Sequence, residues 1–173
     1  ASAVDIVNVK SGTLSLSKVT LESSGTQDAK VRTIYNAKGQ ARYTVTLLDN
    51  GQGAVKENRY DLAGQLIETI AYANTIAYGS ADIGATVTSS EQDRRSQLFY
   101  DEAGRLRFTL DGAGHITEQR YNAVSEVIST LSYGTSAKDI SALSAAFNAR
   151  TLTYTQLASQ LNGTLVSDAR VSH

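Results

Sequence analysis

Strict alternation of apolar and polar residues, the period of a half-buried β-strand, recurs along this chain. Ala41-Arg42-Tyr43-Thr44-Val45 alternates, and so does Leu106-Arg107-Phe108-Thr109-Leu110. Val55, Glu57 and Arg59 fall on one face of a strand, with Lys56, Asn58 and Tyr60 on the other. Ile116, Glu118 and Arg120 stand against Thr117, Gln119 and Tyr121 in the same way. Between these runs lie Asp49-Asn50-Gly51 and Asp111-Gly112, hairpin signals because Gly and Asn tolerate positive φ. Tyr60-Asp61-Leu62-Ala63-Gly64 and Tyr100-Asp101-Glu102-Ala103-Gly104 are turns of the same sort, each with Gly three residues past Asp. The pattern predicts antiparallel hairpins joined in series.

The hairpins repeat. Tyr35–Val45 aligns with Tyr100–Leu110, Val55–Asp61 with Ile116–Asn122, and Gln65–Tyr72 with Glu126–Tyr133. The offset falls from 65 to 61, so the first repeat carries four extra residues around Thr46 to Gly53, where a loop is expected. A lead-in, Asp28-Ala29-Lys30-Val31-Arg32, returns as Asp168-Ala169-Arg170-Val171-Ser172 and more weakly at Asp93-Arg94-Arg95-Ser96. The chain therefore divides into an N-terminal strand region (1–27), repeat one (28–92), repeat two (93–167) and the start of a third (168–173). Such a chain is expected to be a slice of a longer array, or a piece that associates end to end.

The order Tyr-Asp-x-x-Gly-Arg-Leu, then Asp-x-x-Gly, then Arg-Tyr-Asp/Asn resembles the bacterial RHS or YD repeat. The signature falls on Tyr35, Gly39, Asp49, Arg59, Tyr60, Asp61 and Gly64 in repeat one. In repeat two it falls on Tyr100, Asp101, Gly104, Arg105, Asp111, Gly114, Arg120 and Tyr121. Asn36 and Asn122 replace Asp, and Ser125 replaces a turn Gly. The resemblance implies a hairpin ribbon that spirals into a β shell, scaffolding or enclosing a toxin domain in large secreted or cell-surface bacterial proteins. It implies a structural role, with no enzyme activity and no cofactor. The partners it implies are flanking repeats of the same or a neighbouring chain, and an enclosed toxin domain. Neither a toxin domain nor the region that caps and cuts such shells is visible in the sequence.

Outside the repeats, Leu14 and Leu16 alternate with Ser15 and Ser17, and the apolar set then moves to Val19 and Leu21. One or two strands, with a β-bulge at the switch, fit residues 1–27. Residues 73–92 are rich in Ser, Thr, Gly and Ala and read as a polar loop, with a strand or turn near Ala85 to Thr88. The matching stretch after repeat two reads as a helical insertion over 136–162. Ser136 is placed to cap a helix whose stripe is Ile140, Leu143 and Phe147. A second helix fits Thr155 to Asn162, with Leu157 and Leu161 as its stripe and Gly163 as its stop. The expected fold is mainly β: repeated antiparallel hairpins forming a ribbon or spiral sheet segment, with two short helices in the C-terminal third.

Composition narrows the chemistry. The 173 residues contain no Cys, which removes disulfides, thiol nucleophiles and thiolate metal sites. Only two His are present, His115 and His173. A net charge of −1 lacks the footprint of a nucleic-acid binder, and no apolar run reaches the roughly 18–20 residues of a membrane helix. Pro is absent, which leaves no strand-blocking imino group.

Five groups of residues invite a chemical role. Glu57–Arg59 and Glu118–Arg120 would suit a binding pair, but pairs at i and i+2 on a strand usually form a solvated or lumen-facing ladder of charges. Asp49, Asp61, Asp101 and Asp111 carry carboxylates suited to Ca²⁺. Each stands nearly alone in its turn, where accepting backbone amides is the commoner use. Tyr35, Tyr60, Tyr100 and Tyr121 hold turn-entry positions that suit packing. Tyr72, Tyr78, Tyr133 and Tyr154 lie outside that signature and are the candidates for ligand contact, with glycans or another cell surface as the adhesin alternative. His115 has no nucleophile partner. A third alternative is a self-assembling extracellular filament subunit, since open strand ends invite pairing.

Overall fold

The computed structural model describes residues 30–164 and 169–172. The strand region expected over 1–27 lies outside the described residues. The elements form one compact unit that begins at Val31. Repeat one supplies β1 (Val31–Tyr35), β2 (Ala41–Leu47), β3 (Gln52–Tyr60), β4 (Leu66–Ala71), β5 (Ile76–Ala77) and the one-turn helix α1 (Ile83–Thr86). Repeat two supplies β6 (Arg94–Tyr100), β7 (Leu106–Asp111), β8 (Ile116–Tyr121), β9 (Val127–Tyr133), α2 (Ser141–Ala149) and α3 (Tyr154–Thr164). The last strand, β10 (Ala169–Ser172), pairs with β9. The strands form one open antiparallel sheet in the order β1-β2-β3-β4-β6-β7-β8-β9-β10, with β5 added to β3. The mainly β fold and the two late helices stand as the sequence pattern predicts.

One turn geometry builds the meander. In each of the turns at Asn36–Gln40, Leu48–Gln52, Asp61–Gln65, Asp101–Arg105, Asp111–His115 and Asn122–Glu126, the first residue's amide donates to the fifth residue's carbonyl. The fourth residue's amide donates back to the first residue's carbonyl. The fourth residue is left-handed in all of them: Gly39, Gly51, Gly64, Gly104, Gly114 and Ser125. This is a three-residue hairpin loop ending in a bulge that wants Gly. The left-handed residue after Asp111 is Gly114, so the turn is set by Asp111-x-x-Gly114 rather than by the Asp111-Gly112 pair.

The four extra residues of repeat one do not form a loop. Tyr43 faces Glu57 as Phe108 faces Glu118, and both hairpins end in the same turn. The insertion instead lengthens β2 and β3 by two rungs, Thr46↔Ala54 and Leu47↔Gly53. The extension carries β5 in antiparallel register, with Gly53 opposite Ile76. A Cβ on Gly53 would overlap Val45 Cγ1, so Gly is required here by the packing of Val45.

One sheet face is buried, because the segment after each second hairpin folds back across it. In repeat one, Tyr43, Val45 and Val55 pack under Ile76 and Ile83. Residues 73–92 are therefore a folded cover, not an open polar loop, and Asp82 caps α1 through the Ala85 amide at 3.0 Å. In repeat two, Phe108, Leu110, Ile116 and Leu131 pack under Leu143, Leu152, Leu157 and Leu161. The α2 helix begins at Ser141, five residues after the cap expected at Ser136. Ser136 instead takes Asp139 in a preceding turn, its hydroxyl 2.7 Å from the carboxylate. The α3 helix runs through Gly163, which does not stop it. Its start is a capping box that sequence reasoning missed: the Thr153 amide donates to the Gln156 side chain at 2.9 Å, and the Gln156 amide returns to Thr153 Oγ1 at 3.3 Å.

The third lead-in does form a strand, shifted by one from its sequence alignment. Arg170 faces Ser132 as Arg94 faces Ala71, which puts Ala169, not Asp168, in the place of Asp93.

Candidate functional site

The strongest polar constellation occurs twice, at repeat-equivalent positions. Alternation places Glu57 of β3 and Glu118 of β8 on the covered sheet face, where they are 2% and 1% exposed. Neither is solvated, which leaves the inward-facing form of the expected charge ladder. A buried carboxylate is tolerable only with donors around it. Glu57 accepts from the Tyr72 hydroxyl at 2.6 Å and Arg59 Nε at 3.2 Å, with Arg42 Nη2 at 3.4 Å. Glu118 accepts from the Tyr133 hydroxyl, from Arg107, and from Arg120 Nε and Nη2 at 3.3 and 3.2 Å. Burial alone would raise the Glu57 carboxyl; the Tyr72 and Arg59 bonds outweigh it, and the net shift is downward. Burial, and then the neighbouring carboxylate, push Tyr72 and Tyr133 up to about 12.

This placement bears on the ligand-contact candidates. The hydroxyls of Tyr72 and Tyr133 are bonded inward, and Tyr133 is 4% exposed. Tyr78 packs against the repeat-one core, and Tyr154 lies against Phe108 with ring centroids 5.8 Å apart. The four fall in two pairs, Tyr72 with Tyr78 at the repeat-one core and Tyr133 with Tyr154 at the repeat-two core.

The signature residues have a second, linear arrangement. The Tyr60 hydroxyl donates to the Ala41 carbonyl at 3.0 Å, Tyr100 to Leu66 at 2.9 Å and Tyr121 to Leu106 at 2.6 Å. Each acceptor is the first residue of the preceding strand, so each Tyr locks its hairpin end to the neighbour before it. Beside each Tyr the Asx side chain holds the turn. Asp101 Oδ1 takes the amides of Ala103 and Arg105, while Asn36 and Asn122 do the same for Lys38 and Gln40 and for Val124 and Glu126. Asp61 takes Gln65, and Asp111 takes Ala113 and His115. At the Asp49 turn the acceptor is Asn50, one residue later, on the Gln52 amide. These carboxylates and amides serve the turns. His115 Nδ1 is 2.9 Å from Asp111 Oδ2 on the exposed side of its turn.

The residue after three of the left-handed positions, Gly39, Gly64 and Gly104, reaches the next turn along the rim. Gln40 Nε2 donates to the Gly64 carbonyl at 2.9 Å, Gln65 Nε2 to Gly104 at 3.2 Å, and Arg105 stacks 4.8 Å above the Tyr121 ring. The result is a polar rail along one rim of the sheet.

A cleft of about 200 Å³ lies where β4 and β6 meet the end of α2, lined by Glu68, Asp93, Arg95, Asp111 and Arg150 among others. Its central groups satisfy one another. Asp93 takes the Ala73 and Ser90 amides at 3.0 Å each, and Arg95 bridges Asp93 at 3.1 Å to Glu68 at 3.5 Å. Burial would raise Asp93, but the two amides and Arg95 prevail and hold it below the usual range. Asp93 thus staples both ends of the repeat-one cover. Among the described residues no helix is long and apolar enough to cross a membrane.

Searches against protein-family models and against curated proteins find no match to this chain.

Proposed function

We propose that this chain is a non-enzymatic structural repeat segment of the RHS/YD type, serving a large secreted or surface bacterial protein as scaffold or enclosure for a toxin or effector domain. The observation that carries the proposal is the tyrosine lock: Tyr60, Tyr100 and Tyr121 each bond the first carbonyl of the preceding strand. A residue spent on joining hairpins is one a repeat needs and a ligand site does not. The buried glutamates support the same reading, since both are neutralised by arginines within their own hairpins. Each repeat leaves a strand edge for the next, which is how a ribbon of hairpins grows.

The test is the size of the native protein. An antibody raised to this chain is used to blot the producing cells and their medium. A band far above 18.5 kDa is expected. A band near 18.5 kDa in both would overturn the proposal.

A further inference from the structure

The two outer strands of the sheet carry complementary gaps, and the interior joint between the repeats shows how they fit. At that joint β6 lies between β4 and β7. It faces β4 through Glu68↔Gln97, Thr69↔Ser96, Ile70↔Arg95 and Ala71↔Arg94, and Tyr100 locks onto the Leu66 carbonyl. The equivalent of β6 in repeat one is β1, which among the described residues pairs with β2 alone. Among the described residues Tyr35 therefore has no preceding carbonyl to lock; it is 62% exposed, and Val31 is also more than half exposed. The Nε of Arg32 is buried without a partner, the one such side-chain atom among the described residues.

At the other end, β9 is the equivalent of β4. There β10 covers only Thr130 to Tyr133, leaving Val127 and Ser129 paired with β8 on one side, Ile128 at the bulge between them, and, among the described residues, nothing on the other side. Val127 and Ile128 are more than half exposed. The β10 run Ala169-Arg170-Val171-Ser172 also reads as a version of Ala29-Lys30-Val31-Arg32.

We infer that β1 of a second molecule of this chain takes the place of β10 on the β9 edge, joining molecules head to tail through a continuous sheet. The inference rests on the repeat reading above and names its partner. Carrying the β4–β6 register across sets Val31 opposite Thr130 and Arg32 opposite Ser129. The Tyr35 hydroxyl then falls on the Val127 carbonyl, completing its lock. Ser129 brings a hydroxyl acceptor opposite Arg32, whose Nη2 donates to the Ser80 carbonyl while its Nε has no partner among the described residues. Strand addition of this kind supplies main-chain hydrogen bonds along the edge, with side chains fixing the register. The contact is heterologous, so its product is an open series rather than a closed dimer.

Sedimentation of the full chain over a wide concentration range is expected to show mass rising in steps of 18.5 kDa beyond the dimer. Tyr35→Phe should weaken the association about fivefold, the worth of one ordinary hydrogen bond. The chain has no Cys, which makes register testable by cross-linking. An Arg32→Cys chain mixed with a Ser129→Cys chain under mild oxidation should link into a dimer, whereas Arg32→Cys with Leu62→Cys should not. A monomer at every concentration overturns the inference, and so does cross-linking no faster than the Leu62 control. Either result leaves the scaffold reading standing, because that reading fails on the size of the native protein and not on self-association.

Discussion

Replacing Tyr133 by Phe removes one oxygen and nothing else, and the structure says what that oxygen does. Glu118 is 1% exposed and accepts from four donors on Tyr133, Arg107 and Arg120. The ring of Phe fills the same space, so no cavity term enters. What is lost is a hydrogen bond to a charged, buried acceptor, worth about 1.5–3 kcal/mol. For a domain of this size, about 2 kcal/mol lowers Tm by roughly 4–8 °C. Glu118→Gln leaves two guanidiniums without their counter-charge. Both are partly solvated, so the expected loss is about 2–3 kcal/mol, under the range for fully buried pairs. Urea unfolding followed by circular dichroism would read both variants and the double mutant. Because both changes break one bond, the double variant should fall short of their sum by about 1 kcal/mol or more. A Tyr133→Phe chain within about 0.5 kcal/mol of the parent, with additive behaviour in the double variant, would refute the structural account of this cluster. It would favour a site kept for binding, where stability is often sacrificed.

Three further outcomes follow from particular positions. Ser125 is left-handed where the other five turns use Gly, so Ser125→Gly should stabilise by about 0.5–1 kcal/mol in the same urea assay, the strain relieved less the freedom gained by the unfolded chain. Gly53→Ala should cost about 1–3 kcal/mol by overpacking against Val45, with loss of amide protection at Ile76–Ala77 in hydrogen exchange. The carboxyls of Glu57, Asp93, Asp101 and Asp111 are held below their ordinary values when folded, so unfolding takes up protons. Stability is then full above the unfolded carboxyl range, near pH 4–5, and falls as pH drops through the folded values. Tyr72 and Tyr133, raised to about 12, have the opposite sign: their contribution is full below about pH 10 and is lost as pH rises toward 12. Urea midpoints across pH, with tyrosinate absorbance at the alkaline end, would check both limbs.

The features legible in the sequence are those with short-range causes. Alternation in Leu106–Leu110 gave a strand because its period is local, and Asp-x-x-Gly gave the turn because the Asx side chain reaches amides only two and four residues on. The insertion near Thr46 to Gly53 reads as a loop because a lengthened hairpin and a loop have the same residue count. The rungs Thr46↔Ala54 and Leu47↔Gly53 tell them apart. Residues 73–92 read as loop because Ile76 and Ile83 bury their side chains against strands far along the chain, a contact that leaves no periodicity. The charge pattern located Glu57 and Glu118, but their burial depends on covers that the alternation of β3 and β8 does not encode. The signal that was available is the matched spacing of Glu57 to Tyr72 and Glu118 to Tyr133, 15 residues in each repeat. Tyr72 and Tyr133 stand outside the turn signature, and with Glu57 and Glu118 they form a second signature of the same repeat.

The turn tyrosines act as joints between successive hairpins, and two of them differ in whether a strand precedes them among the described residues. Tyr100→Phe removes a hydroxyl bonded to the Leu66 carbonyl at 2.9 Å, whereas Tyr35→Phe removes one with no strand before it among the described residues. In urea unfolding of the dilute chain, Tyr100→Phe should lose about 1 kcal/mol, and Tyr35→Phe should stay within about 0.3 kcal/mol of the parent, the scatter of an exposed change. Equal losses at the two positions, or no loss at Tyr100, would contradict the account.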